Sequence, residues 1–207
     1  MSTATGTTYS VKIKNNGTHP GSFALYKEDP DMMNPDTLIL AWLAEPSANG
    51  QETTISWTVD YGFYWTKVKS PEPGTTITST SSKEADLKSN NSIGFSKLPG
   101  GTYVLSETSS AGHQNILYVH QEETIEVDDN AFIGILIDNQ PVIAKRAQPS
   151  TIAEFTPHPT YYLIYGDIEQ GAVIDVSEYS DQALKITFDG VTEHNVVLNE
   201  RNQLHLV

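Results

Sequence analysis

The sequence predicts an all-β fold, a single-domain antiparallel β-sandwich of which the jelly roll is one form. Three observations carry that expectation. From Ile55 to Trp65 every odd position is apolar or aromatic, and the positions between are mostly small or polar. Alternation of period two marks a strand with one buried face. Strand-sized apolar runs recur roughly every 8 to 15 residues, close to the spacing of a sandwich. No window of about a dozen residues shows the helical repeat.

In chain order, residues 1–8 are expected to form a flexible tail and residues 9–207 the domain. Tyr9, Val11 and Ile13 alternate with polar residues and predict a first strand. Asn15-Asn16-Gly17 closes it with residues that accept positive φ. Phe23 and Leu25 share one face of the return strand. Glu28 to Pro35 is an acidic, proline-bracketed loop. Leu38 to Ala44 reads as one strand buried on both faces, and Asn49-Gly50 turns the chain into the Ile55–Trp65 strand, with a bend expected at Gly62. Thr75 to Thr80 is strand-like, and the polar stretch Ser81 to Asn91 reads as a mobile insert. Ile93–Ser96, Tyr103–Leu105 and Asn115–His120 follow as short strands. Thr124–Val127 is expected to pair with Phe132–Ile137 across Asp128-Asp129-Asn130. After Val142–Ala144, the stretch Lys145 to Ser150 is the one candidate boundary. The last third reads as strands at Tyr161–Tyr165, Ala172–Val176, Leu184–Phe188, Val196–Leu198 and Leu204–Val207.

Composition removes several functions. There are no cysteines, which excludes disulfides, thiolate metal sites and cysteine nucleophiles. Twelve Lys and Arg against 26 Asp and Glu give a net charge of −14. So acidic a surface repels phosphate backbones, so nucleic acid is not an expected partner. The longest apolar runs are too short to span a bilayer. Met1 to Ser10 has neither a basic start nor an apolar core, so the expected location is cytoplasmic, or outside by a route without a classical signal.

Three aromatic stretches and a proline motif set the chain apart. They are Phe23-Ala24-Leu25-Tyr26, Leu40-Ala41-Trp42-Leu43, Ser56 to Trp65, and Phe155-Thr156-Pro157-His158-Pro159-Thr160-Tyr161-Tyr162, followed by Gly166 to Gly171. With these the chain resembles the RhiA family across about residues 9 to 180. That resemblance implies a β protein found mainly in bacteria, named from a rhizosphere-expressed protein of rhizobia under quorum-sensing control. It implies no catalytic residues. The Ser70–Asn91 segment is more polar than the resemblance leads one to expect.

Motifs for nucleotide, zinc or serine-hydrolase chemistry are missing from the sequence. The loop from Asp29 to Asp36 begins like a calcium loop. It then places Met33 where an oxygen ligand belongs and Asn34 where the turn glycine belongs, so it is not an EF-hand. Two readings stand: Asp29, Asp31 and Asp36 collect Ca²⁺, or they form a solvated acidic loop. Asp128-Asp129-Asn130 is a weaker stretch of the same kind. Among six histidines, His158 stands out because prolines flank it. It is a candidate ligand-binding residue beside the plainer reading of a hydrogen-bonded structural histidine. Tyr161 and Tyr162 point to opposite faces of one strand, which leaves two readings, an exposed ring or a second buried sheet face, and Tyr64 lies opposite the apolar face of its strand. Exposed rings suit sugar stacking, and all three tyrosines stand as candidate ligand contacts beside a second buried face.

The expected function is therefore a non-enzymatic binding or interaction protein of bacteria, engaging a protein or carbohydrate ligand through loops on a rigid scaffold. Two rivals remain: a lectin-like or membrane-acting effector, and a hydrolase of glycans or esters with carboxylates from separate loops. Oligomeric state is open.

Overall fold

Short strands and tight turns make up the chain in the computed structural model, which describes residues 6–207. In order these are β1 (Thr8–Asn15), β2 (Gly21–Tyr26), β3 (Thr37–Ile39), β4 (Leu43–Ser47), β5 (Glu52–Thr58), β6 (Tyr61–Lys67) and β7 (Ser81–Ala85). Next come β8 (Ser92–Lys97), β9 (Tyr103–Leu105) and β10 (Leu117–Gln121). A 3₁₀ turn at Val127–Asp129 leads to β11 (Ala131–Ile137), β12 (Gln140–Arg146), β13 (Thr151–Phe155) and β14 (Thr160–Gly166). A one-turn helix, α1 (Val176–Tyr179), precedes β15 (Leu184–Thr187), β16 (Glu193–Leu198) and β17 (Leu204–Leu206). Among the described residues no helix is long and apolar enough to cross a membrane.

The strands form four sheets. A terminal sheet runs β17-β16-β1-β5, and a central sheet runs β3-β12-β11-β6-β7. A third, here the tyrosine sheet, runs β15-β14-β2-β4, and a fourth runs β13-β10-β8-β9. Pairing is antiparallel except for β1 with β16 and β8 with β10, which are parallel. The all-β sandwich expectation holds, with these two pairs as its departure from pure antiparallel order.

One core draws on all four sheets: Ile13 and Trp57, Leu25 and Tyr161, Phe63 and Ile135, Phe95 and Leu117 all belong to it. Trp42, Trp57 and Trp65 are buried, as the alternation predicts. Trp57 packs among Trp42, Tyr161 and Phe188 at ring separations of 5.3, 4.8 and 5.5 Å. The far face of the central sheet buries a smaller cluster that includes Leu40, Tyr64 and Phe132. Gly134 makes room for that cluster. A methyl group there would meet Ile143 O at 2.1 Å and the Tyr64 ring at 2.5 Å.

Several expectations are corrected. The Ile55–Trp65 ladder is two strands in two sheets, broken at Val59-Asp60. The break is pinned where Asp60 N bonds back to Thr58 O and Asp138 N bonds to Asp60 O. Gly62 is not the bend. It lies inside β6, where an added methyl would meet Lys83 O at 3.1 Å. Leu38–Ala44 likewise divides between the central and tyrosine sheets, and Leu40 to Trp42 cross the core between them. At Leu40–Trp42 the run is long because the chain passes through the interior from one sheet to the next, whereas Val59-Asp60 is a partly exposed turn between two strands whose patterns happen to stay in phase.

Ser81–Ala85 is an ordered edge strand on β6 rather than part of a mobile insert. The turn after it is fixed by Asp86 Oδ1, which accepts from the N–H groups of Lys88 and Ser89. Thr75–Thr80 and Ala172–Val176 form no strands, only isolated bridges of Ala172 with Thr76 and of Val173 with Leu40. Thr124–Val127 does not pair with β11, which lies between β12 and β6. The β11–β12 hairpin turns instead on Asp138 and Asn139, both at positive φ. The predicted tail falls partly on residues 1–5, outside the described residues. Thr8 already belongs to β1, and Thr7 O accepts from Val59 N.

Candidate functional site

Strand alternation sorts the side chains of the tyrosine sheet. In β2, Phe23 and Leu25 share one face and Ala24 and Tyr26 take the other, where they too are buried. Tyr162 of β14 stands directly opposite Tyr26. The two rings stack with centroids 5.1 Å apart and planes 19° from parallel. Two residues beyond Tyr26 on the same face, Glu28 Oε2 accepts a 2.7 Å hydrogen bond from Tyr162 Oη. Burial, and then the hydrogen bond to Glu28, push the Tyr162 phenol up to about 12. Burial, with Glu28 and Tyr162 adding to it, also pushes the Tyr26 phenol well above its ordinary value. Both rings therefore stay neutral across the physiological range, with Tyr162 as a donor.

A cleft of about 560 Å³ opens over this pair. One wall is the loop after β2, which contributes Met32 and Met33, with Ile39 of β3 beside it. The opposite wall is the segment around α1, with Ile174, Asp175, Val176 and Ala183. Met33 is 88% exposed, the most exposed large apolar side chain described. The volume falls in the range of small-molecule sites.

The acidic residues of the first wall build it. Asp29 Oδ1 accepts from Asp31 N, a local turn that sets the loop's direction. Lys145 Nζ lies 3.0 Å from Asp29 Oδ1 and 2.8 Å from Asp31 Oδ2. Arg146 Nε donates to Asp36 Oδ1 at 2.8 Å. Basic side chains at the end of β12 thus clamp the methionine loop to the central sheet. The opposite wall has its own anchor, since Asp175 caps α1 by accepting from Ser177 N at 2.9 Å.

Of the residues singled out in the sequence, Tyr162 lies in the cleft. Tyr161 points into the core, buried against Trp42 and Trp57. Tyr64 is fully buried, with its hydroxyl on Ile143 O, so it presents no edge to a ligand. His158 has an exposed side chain, and its carbonyl accepts from Lys27 Nζ. Asp29, Asp31 and Asp36 face Lys145 and Arg146 instead of converging as a calcium cage. Among the described residues no group of three or more His, Asp or Glu side chains is placed to hold a metal ion. Asp129 of the second acidic stretch pairs with Lys97 and Lys67 and accepts from Tyr103 Oη.

Sequence reading missed Tyr26, Glu28 and the two methionines. A signal for the first two was present. Phe23 and Leu25 on one face oblige Tyr26 and Glu28 to share the other. The methionines carried no such pattern, because their position depends on ion pairs to residues more than a hundred positions away.

The RhiA family model matches residues 6–207. Protein RhiA of Rhizobium leguminosarum bv. viciae is 25% identical over 178 residues, which cover 84% of this chain and 74% of that protein. No solved structure matches the chain.

Proposed function

The chain belongs to the RhiA family, and from that premise we propose that it is a non-enzymatic binding protein whose site is the cleft over Tyr26 and Tyr162. One observation carries the reading. A stacked tyrosine pair, tied to a carboxylate, floors an open and largely apolar cleft whose two walls are separately anchored. Pockets of this kind, apolar with a few placed polar groups, are the usual form of small-molecule sites. The carboxylates there serve the scaffold: Glu28 orients Tyr162, and Asp175 caps a helix.

Methyl-labelled methionine gives a direct test by NMR, with 2-phenylethanol as a neutral amphipathic probe. Binding is expected to shift the Met32 and Met33 methyl signals in a saturable way, and Tyr162→Ala is expected to weaken it about tenfold, the loss of one aromatic contact. Unmoved methionine signals across the titration would remove the cleft as the site.

A further inference from the structure

The charge pattern around the cleft carries a statement about ligand class, one that rests on the reading of the cleft as a binding site. Two carboxylates line it, Glu28 and Asp175, and its lining contains no Lys, Arg or His. Nearby cations are spent elsewhere. Lys145 and Arg146 are held by Asp29, Asp31 and Asp36. Lys27, adjacent to Glu28 in sequence, points to the opposite face of the sheet, with its amine 3.9 Å from the centre of the Tyr161 ring. Neither Glu28 nor Asp175 forms an ion pair among the described residues. Each is also only half used. Tyr162 takes Glu28 Oε2, and Ser177 takes Asp175 Oδ1 through both its N–H and its hydroxyl. Glu28 Oε1 and Asp175 Oδ2 accept no protein hydrogen bond among the described residues.

The Tyr162 ring, partly exposed in the cleft above the buried Tyr26 ring, carries negative quadrupole density on its face and attracts cations. Beside them are Met32, Met33 and Ile39, which suit an apolar body. The protein as a whole, at −14, repels anions and draws cations toward such a cleft. We propose that the cleft selects a small amphipathic organic cation, a protonated amine or quaternary ammonium carried on an apolar or aromatic body. The ammonium sits against Glu28, Asp175 and the Tyr162 ring, and the body lies along the methionine wall.

Three probes with one body and three charges test this: phenethylammonium, 2-phenylethanol and phenylacetate, titrated against the methionine methyl signals and by calorimetry. The cation is expected to bind about tenfold more tightly than the alcohol, the scale of a partly exposed cation–π and carboxylate contact. Phenylacetate is expected to bind more weakly than either. Glu28→Gln keeps an acceptor for Tyr162, and Asp175→Asn keeps a helix cap. Each is expected to weaken phenethylammonium several-fold and leave 2-phenylethanol unchanged. Added salt should weaken the cation alone. Equal affinity for amine and alcohol, or indifference of the amine to both substitutions, overturns the cation assignment and leaves the cleft as a binding site. Failure of all three probes removes both readings.

Discussion

Tyr161 and Tyr162 are neighbours in sequence and strangers in environment, and so are Lys27 and Glu28. The core face of the tyrosine sheet holds Tyr161 among Trp42, Trp57 and Phe188, with the Lys27 amine above its ring. The cleft face holds Tyr162 on Tyr26, with the Glu28 carboxylate at its hydroxyl. The residue types match, and what differs is what covers them. On the first face protein covers the rings and a charge is trapped without a counter-ion. On the second face Tyr26 is buried as well, but Tyr162 and Glu28 are only partly covered, and the carboxylate stays within reach of solvent.

The largest way to break this comparison is to remove one ring from each face. Tyr161→Ala is expected to cost about 3–5 kcal/mol by denaturant unfolding, the scale for a fully buried aromatic. Tyr162→Ala is expected to cost well under half of that, because its site already borders solvent. Equal costs would mean that the two faces do not differ as described.

Lys27 offers the next test, through pH. Its side chain is only 2% exposed and donates to the carbonyls of His158 and Thr160. Burial outweighs those acceptors and pulls the amine down to about 7. Below pH 7 the ammonium is charged in both folded and unfolded chains, and its burial cost is fully present. Between about 7 and 10.5 the unfolded chain holds a proton that the folded chain has released. Stability therefore rises with pH through that window, by an amount on the order of a few kcal/mol. Lys27→Met is expected to abolish this part of the slope, measured as unfolding midpoints from pH 6 to 10. An unchanged slope in the variant would place the titration elsewhere.

The smallest effect sharpens the cleft face alone. Tyr162→Phe keeps the stacked ring and removes the donor to Glu28. The expected loss is about 1 kcal/mol of stability or less, since the carboxylate regains water. An ultraviolet titration should show one fewer phenol ionising near pH 12.

Much of the fold was legible because period-two alternation is local. It located β1, β2, β14 and β16, and it put the two adjacent tyrosines on opposite faces of one strand. It misled where the chain crosses between sheets. Leu38–Ala44 stays apolar through its break because a crossing through the core is as dry as a strand, and Ile55–Trp65 keeps its alternation through a partly exposed turn at Val59-Asp60. The polar strand Ser81–Ala85 was illegible for the opposite reason: an edge strand is held by its backbone bonds to β6 and needs no buried face. Of the site, Tyr162 was readable from alternation. The loop carrying Met32 and Met33 was read as either a Ca²⁺ loop or a solvated acidic one, and its acidic residues meet Lys145 and Arg146, a partnership no local pattern announces.

The parallel pairing of β1 with β16 has a consequence for how the molecule comes into being. Ser10 and Glu193 are 183 positions apart, yet they lie side by side. A ribosome releases β1 early, β5 can zip onto one of its edges soon afterwards, and the other edge must wait for nearly everything else to be made. Closure entropy makes such a late, distant contact slow to find. Through that wait Val11 and Ile13 sit beside an open row of backbone donors and acceptors, an invitation to stick to other nascent chains. Whatever shields that edge during synthesis protects the chain at its most exposed moment.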